Sequence, residues 1–280
     1  MPELPDLQYI VKALGPKLQG RRIEEVSVKE PIVLRTLLAD PDGLPLGFAA
    51  ALKGRVFTGL HRHGPFLSFA LGGKQPDSLL LIIHCMLAGR LQIAAASDKL
   101  LAHLCFSLIL DNGERLSYGD EKRMGKVYVT EPGRFGGIPG YDTQGVDVVS
   151  DAFPFEAFEV LIRGKRNQAR VFLMDQTALS AIGNAYADEI LFAAGIHPKT
   201  PCSSLSPQER RRLYDSIRSV LAWGIAEVEK DGQPIEVKVR GHMRVRNRKD
   251  EPCPVCGATI RRAGVLGYDS FFCPVCQPSQ

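Results

Sequence analysis

Two Cys-x-x-Cys pairs near the C-terminus constrain this chain most: Cys253-Pro254-Val255-Cys256 and Cys273-Pro274-Val275-Cys276. The start of the chain lacks the basic and apolar segments of a signal peptide, and no run of about 18 uncharged apolar residues is present. The expectation is therefore a cytoplasmic protein that does not enter a membrane, in which such pairs mark a metal site rather than a disulfide framework. The stretch from Gly257 to Phe272 separates the pairs. It is long enough for a β-hairpin whose two knuckles bring four thiolates around one tetrahedral Zn²⁺. Four sulfurs leave no open coordination position for a catalytic water, so the predicted cofactor is a single structural zinc. Cys85, Cys105 and Cys202 read as ordinary thiols.

A hairpin of this kind works through what it carries, and its neighbours are basic. Lys238, Arg240, Arg244, Arg246, Arg248 and Lys249 crowd one stretch, with Arg261 and Arg262 close behind, although the whole chain carries a net charge of only +4. Clustered cations neutralise phosphates and release counterions. A solvated, partly mobile loop is the alternative that charge alone leaves open. With 280 residues, 45% hydrophobic and 24% charged, the chain is globular rather than fibrous or disordered. It is long enough for about two domains, with a cleft between them as the working expectation.

The periodicity changes near residue 150. Before it, short β-rich runs recur at 22–28, 55–60, 66–71, 79–84, 91–95, 103–110, 115–118 and 126–129, punctuated by turns such as Asp111-Asn112-Gly113. Residues 7–18 are the exception, with Leu7, Ile10, Val11, Leu14 and Leu18 on one helical face. After it, helices are expected at 155–162, 169–174, 183–193 and 206–230. The last opens with Ser206 as N-cap, Pro207 at the first helical position and Glu209 at the third. The predicted fold is α+β: an N-terminal antiparallel β-sandwich with flanking helices (1–150), a helical domain (151–250) and a zinc finger (251–280). Residues 133–140 read as a flexible link without chemistry. His84 and His103 read as core histidines within apolar strands, and Trp223 as a core residue. Asp175, Asp188 and Glu189 read as groups that cap helices, orient the motif or face solvent.

The opening Met-Pro-Glu-Leu-Pro-Asp carries candidate chemistry. Methionine before proline is usually removed, which exposes Pro2 as a secondary amine able to attack an aldehyde-like sugar carbon and form an iminium ion. Glu3 beside it can protonate a ring oxygen and shuttle protons through β-elimination. The alternative is that Pro2 and Pro5 merely stiffen an extended arm.

This opening occurs together with the zinc hairpin, with Tyr118 to Gly125, and with Ile182-Gly183-Asn184-Ala185-Tyr186-Ala187-Asp188-Glu189 running on to Pro198. In that combination the chain resembles the formamidopyrimidine-DNA glycosylase and endonuclease VIII family almost end to end. The resemblance implies a helix-two-turn-helix motif at 182–198 and damaged double-stranded DNA as partner, bound in the cleft by a monomeric, bacterial-type enzyme on the nucleoid. It implies base-excision repair by a glycosylase with abasic-site lyase activity. A flipped nucleotide is attacked at C1′ by Pro2, because that carbon is inaccessible inside the stack. Glu3 matches the family's acid/base residue. Asn184 matches a phosphate-contacting asparagine at a helix start, where unpaired N–H groups also favour an anion. A plain N-cap role for Asn184 is the alternative. Asp6 and Tyr186 fall among the implied DNA-contacting positions.

Several positions depart from the family pattern. Pro65 stands where a phosphate-contacting lysine is usual, with His63 or Lys53 as possible substitutes. Leu87 takes the place of the methionine that fills the gap left by the flipped base, and leucine can serve as an apolar wedge. Lys122 replaces an arginine facing the orphaned base, Met124 a wedging phenylalanine, Tyr268 a phosphate-gripping arginine, and Asp6 a glutamate. Lysine lacks arginine's bidentate fork, which implies relaxed discrimination of the opposite base. The stretch between the long helix and Cys253 also looks shorter than in members specialised for 8-oxoguanine, which implies a reduced loop over that base. Three functions follow: a glycosylase/lyase for oxidised or ring-opened bases; a divergent paralogue acting on abasic, single-stranded or bulky-adduct DNA; or a catalytically silent lesion-binding protein.

Overall fold

The computed structural model describes residues 1–39, 42–73 and 78–279. The chain forms two compact units: Met1–Pro2, Asp6–Asp142 and Gly232–Lys238 in the first; Glu3–Pro5, Thr143–Asp231 and Val239–Gln280 in the second.

The first unit is the expected β domain. Helix α1 (Leu4–Leu18) continues into it after its opening turn, and Leu7, Ile10, Leu14 and Leu18 are all buried. That is the apolar stripe read from the sequence, extended by one turn at its start. One sheet runs β1 (Ile23–Val28), β7 (Leu104–Leu110), β8 (Glu114–Gly119), β6 (Arg90–Ala95). The other runs β2 (Leu34–Thr36), β9 (Lys126–Thr130), β5 (Leu79–His84), β4 (Phe66–Gly72), β3 (Val56–His63). Among the described residues, the strand pairs of these two sheets are antiparallel except β2–β9. From Leu79 to Ile83 every residue of β5 is buried, so that run carries no alternation and marks the centre of the core.

Some elements differ from the sequence reading. Strand β2 and the short helix α2 (Phe48–Leu52) were not expected, because three and five residues are too few for a periodic signal. The 133–140 stretch is not a free link. Phe135 and Ile138, with the adjacent Tyr141, pack with Phe66, Leu80, Ile82 and Tyr128 on the five-stranded sheet, and the Tyr141 hydroxyl lies 3.1 Å from Ser68 Oγ. His103 does not lie in an apolar strand; it occupies an exposed turn with φ 53° just before β7.

The second unit contains α3 (Phe155–Ile162), α4 (Ala169–Leu173), α5 (Asn184–Ala194), α6 (Pro207–Asp231) and a hairpin of β10 (Arg261–Val265) and β11 (Tyr268–Phe272). The start of α6 is a reciprocal capping box. Glu209 N–H donates to Ser206 Oγ at 3.2 Å, and Ser206 N–H donates to Glu209 Oε2 at 2.8 Å, satisfying two N-terminal donors. Between Phe192 on α5 and the hairpin lies a small core of Val245, Cys253, Ile260, Phe271 and Cys273. Among the described residues, no helix is long and apolar enough to cross a membrane.

Candidate functional site

Pro2 is buried in the first unit, in a narrow cavity whose lining includes Asp6, Cys85, Gly89, Arg90 and Lys238. The Met1 amino group donates to Leu87 O at 3.1 Å, and Lys238 Nζ donates to the same carbonyl at 3.2 Å. The N-terminus and the turn bearing Leu87 are thus held together by one acceptor. Burial pushes the Cys85 thiol up to about 12, against the opposing pull of Arg90, Lys238 and the N-terminus. A protonated thiol cannot compete with an amine as nucleophile. Burial, with the positive N-terminus second, pushes His84 down to about 4.

Glu3 belongs to the second unit and meets the start of α5. Its Oε1 accepts Ala185 N–H at 3.0 Å; its Oε2 accepts Tyr186 N–H at 3.0 Å and Gly183 N–H at 3.2 Å. The N–H groups that the sequence reading left open for a phosphate are therefore occupied by the protein's own carboxylate, the acceptor a helix N-terminus favours. Gly183 is required by this approach, since a Cβ there would lie 2.7 Å from Glu3 Cδ. The next residue, Leu4, donates its N–H to Ala181 O at 2.9 Å. Ala181 has φ 61°, a left-handed conformation unusual for alanine, and its N–H is held by Gln176 Oε1 at 2.8 Å.

The two predicted wedge residues sit on turns in the first unit with their side chains outward: Leu87 is 56% and Met124 40% exposed, beside an exposed Lys122. Asp120, 2% exposed, shapes the second turn by accepting Lys122 N–H at 3.0 Å and Gly125 N–H at 2.6 Å. The Tyr118 hydroxyl fits against both turns, where a Cβ on Gly89 or Gly125 would overlap it. Pro65 is buried. His63 Nε2 donates to Tyr141 O at 2.8 Å, and its ring packs on Tyr141.

In the second unit, Asn184 is the first residue of α5 and Gly183 is the N-cap, so Asn184 is not a plain cap. Its Oδ1 accepts Arg170 Nη2 at 2.8 Å. Tyr268 opens β11 and is 55% exposed. Tyr186 and Asp6, expected among the DNA contacts, are both buried, Asp6 in the lining of the Pro2 cavity. Tyr186 packs over Gly224, and its hydroxyl lies 3.1 Å from His242 Nε2. Asp188 and Glu189 do not face solvent. Asp188 accepts Arg170 Nε, Arg246 Nη1, Ser270 Oγ and Phe271 N–H. Glu189 accepts the N–H groups of Arg244, Val245 and Arg246; burial raises its pKa while those donors oppose the shift.

These contacts also settle the state of the basic segment, which is pinned rather than loose. Arg240 lies over the Tyr186 ring, Arg244 over Trp223 and Arg246 over Phe271. Trp223 is accordingly half-buried rather than core.

The four paired cysteines converge, with Sγ atoms all within 4.8 Å of one another. The Cys253–Cys276 and Cys256–Cys273 separations are 3.8 and 3.4 Å. A tetrahedron with Zn–S bonds of about 2.3 Å has edges of about 3.8 Å, so the thiols fit one zinc ion. Val255 and Cys276 N–H point at Cys253 and Cys273 Sγ, each at 3.4 Å, a contact that favours the thiolate form a zinc ligand takes.

A β domain opening on Pro-Glu, a helical unit whose motif binds that Glu, and a four-cysteine hairpin together define the architecture of a DNA-repair glycosylase. Residues 1–127 match the formamidopyrimidine-DNA glycosylase N-terminal domain, 144–236 that enzyme's H2TH domain, and 250–278 the zinc finger found in FPG and IleRS. The chain belongs to the formamidopyrimidine-DNA glycosylase family. It is 34% identical over 284 residues to the formamidopyrimidine-DNA glycosylase of Symbiobacterium thermophilum, covering 99% of this chain and 90% of that one. To that of Chloroflexus aurantiacus it is 32% identical, covering 99% and 98%. Among solved structures, the MutM (Fpg) protein of Thermus thermophilus superposes over the full length of both chains, with TM-score 0.84 and 29% identity. Lactococcus lactis Fpg bound to DNA containing an oxidised pyrimidine shares the fold at TM-score 0.86 and 24% identity, over 99% of this chain and 100% of that one.

Proposed function

We propose that this chain removes oxidised or ring-opened bases from double-stranded DNA and then cleaves the backbone at the resulting abasic site, as a monomer in the cytoplasm. Family membership supports the glycosylase and the lyase chemistry. The observation that carries the residue assignment is the seating of Glu3 on three N–H donors at the start of α5, directly next to Pro2 in the chain.

After removal of Met1, the Pro2 nitrogen attacks C1′ of the flipped nucleotide, and the glycosidic bond breaks as the base leaves with a proton. Ring opening gives an iminium between Pro2 and C1′. Loss of a C2′ proton then expels the 3′ phosphate, and water returns the free amine. Glu3 holds or passes the protons of these steps, and its three donors keep the carboxylate in one orientation. Leu87 and Met124, side chains outward on turns braced by Tyr118 and Asp120, fill the gap the flipped base leaves. Asn184 and Tyr268 bond phosphates, and the zinc holds the hairpin that carries Tyr268. The absence of cationic side chains at Pro65 and Tyr268, and lysine in place of arginine at Lys122, favour a second reading in which lesion preference is shifted toward abasic or single-stranded substrates.

Activity of Pro2→Gly and Glu3→Gln variants on duplexes carrying 8-oxoguanine, a formamidopyrimidine or an abasic site tests the assignment. Base release and strand cleavage are expected to fall by at least about a hundredfold, the scale of a lost acid/base group. Unchanged rates in both variants overturn it.

A further inference from the structure

Arg170 is 1% exposed on α4, and neither the zinc site nor the chemistry at Pro2 uses it. A buried guanidinium has to be paired and hydrogen-bonded, and its partners here are specific. Nε donates to Asp188 Oδ1 at 3.1 Å; Nη2 donates to Asn184 Oδ1 at 2.8 Å and to Asp269 O at 3.0 Å.

The contact with Asn184 has a directional consequence. An asparagine amide presents an acceptor at one end and two donors at the other, and rotation about its last bond exchanges them. A phosphate accepts only, so it needs the donor end. A guanidinium donates only, so it takes the oxygen end. Arg170 therefore fixes which end of Asn184 remains for an anion. Asn184 is partly open at the start of α5, with its Nδ2 as the remaining polar group.

We propose that Arg170 is a positioning residue for DNA binding: it locks the Asn184 amide with its NH₂ turned to the phosphate, and so sets the polarity of that contact. This rests on the reading of Asn184 as a phosphate contact. Lysine is not equivalent: its donors sit on a single nitrogen, whereas Arg170 reaches Asp188 from Nε and Asn184 from Nη2. The hairpin end keeps a donor when Arg170 changes, since Arg246 Nη1 also donates to Asp269 O, at 2.9 Å.

The test is a double-mutant cycle on the zinc-loaded full chain, with affinity measured on a duplex carrying a tetrahydrofuran abasic analogue. Arg170→Lys is expected to weaken binding about tenfold, equivalent to about 1.4 kcal/mol, and Asn184→Ala by at least as much. In the Asn184→Ala background, Arg170→Lys is expected to cost less than about twofold, because its effect passes through the amide. The same loss in both backgrounds means that Arg170 serves only the fold, and overturns the proposal. Wild-type affinity in Asn184→Ala overturns the phosphate reading instead.

Asn184→Asp gives a second test that leaves Arg170 in place and so does not depend on the folding of Arg170→Lys. It keeps the acceptor for Arg170 but turns a carboxylate oxygen to the phosphate, and is expected to bind more weakly than Asn184→Ala. Binding equal to or tighter than Asn184→Ala overturns the proposal.

Discussion

Alanine at Gly183 tests the seating of Glu3 on α5. Gly183 has φ −123° and ψ −165°, extended backbone that alanine adopts freely, so the substitution carries no conformational strain. Its cost comes from packing alone. The added Cβ would stand 2.7 Å from Glu3 Cδ, 2.8 Å from Cγ and 3.0 Å from Oε1, and Glu3 is only 5% exposed, with little room to retreat. Overpacking of this kind costs about 1–3 kcal/mol. At roughly 2–4 °C per kcal/mol for a chain of this size, the melting midpoint drops by a few degrees. Moving the carboxylate also breaks its alignment with the N–H groups of Gly183, Ala185 and Tyr186, so single-turnover base release is expected to fall by tenfold or more, a larger loss than the melting shift suggests. The clash is specific to the longer side chain, so Gly183→Ala introduced into Glu3→Ala is expected to cost less than about 0.5 kcal/mol. Calorimetry on the four proteins of this cycle, with single-turnover kinetics on the two that keep Glu3, gives both readouts. An equal thermal cost in the two backgrounds, or wild-type kinetics in Gly183→Ala, refutes the reasoning.

Two further outcomes follow from the same geometry. His84 has its pKa depressed from 6.5 to about 4, so the folded state favours the neutral ring. That contribution is complete above pH 6.5 and is lost as pH falls through the window down to about 4, on the order of 3 kcal/mol in all. His84→Phe, which suits a site where the ring already packs 4.8 Å from Phe66, is expected to flatten the melting midpoint relative to wild type between pH 6.5 and 4; parallel curves for the two proteins refute this. Chelation of the zinc is expected to remove one metal per chain by mass spectrometry, dissolve the small core around Val245, Ile260 and Phe271, and weaken DNA binding; an unchanged melt and affinity after complete removal contradict a structural role.

What the sequence made legible was local. The cysteine spacing gave the hairpin, Ser206 and Glu209 gave the capping box, and the apolar stripe from Leu7 gave most of α1. The candidate residues Pro2, Glu3 and Asn184 could be named because they lie in recognisable strings. Its geometry was not, because the contacts that arrange it join distant points of the chain. Glu3 meets Gly183 and Ala185 across 180 and 182 positions, Arg170 meets Asp269 across 99, and the segment Gly232–Lys238 returns to the first unit. The same limit explains why charge alone leaves the state of the basic segment open. Charge density alone suggests solvation, whereas stacking of Arg240, Arg244 and Arg246 on three aromatic rings depends on where those rings fall in the fold. Asp188 and Glu189 were open between capping, orienting and solvent because a carboxylate's role is set by the donors around it, which here come from residues 170 to 271.

The central claim is that the Pro2 amine is the nucleophile. Borohydride reduction during incubation with a duplex carrying one abasic site freezes an iminium as a stable cross-link, and peptide mapping locates the bond. The expected result is a one-to-one covalent adduct on a peptide that begins at Pro2, with the bond on the Pro2 nitrogen. An adduct on a lysine such as Lys122 or Lys238, or DNA binding with no adduct at all, contradicts it.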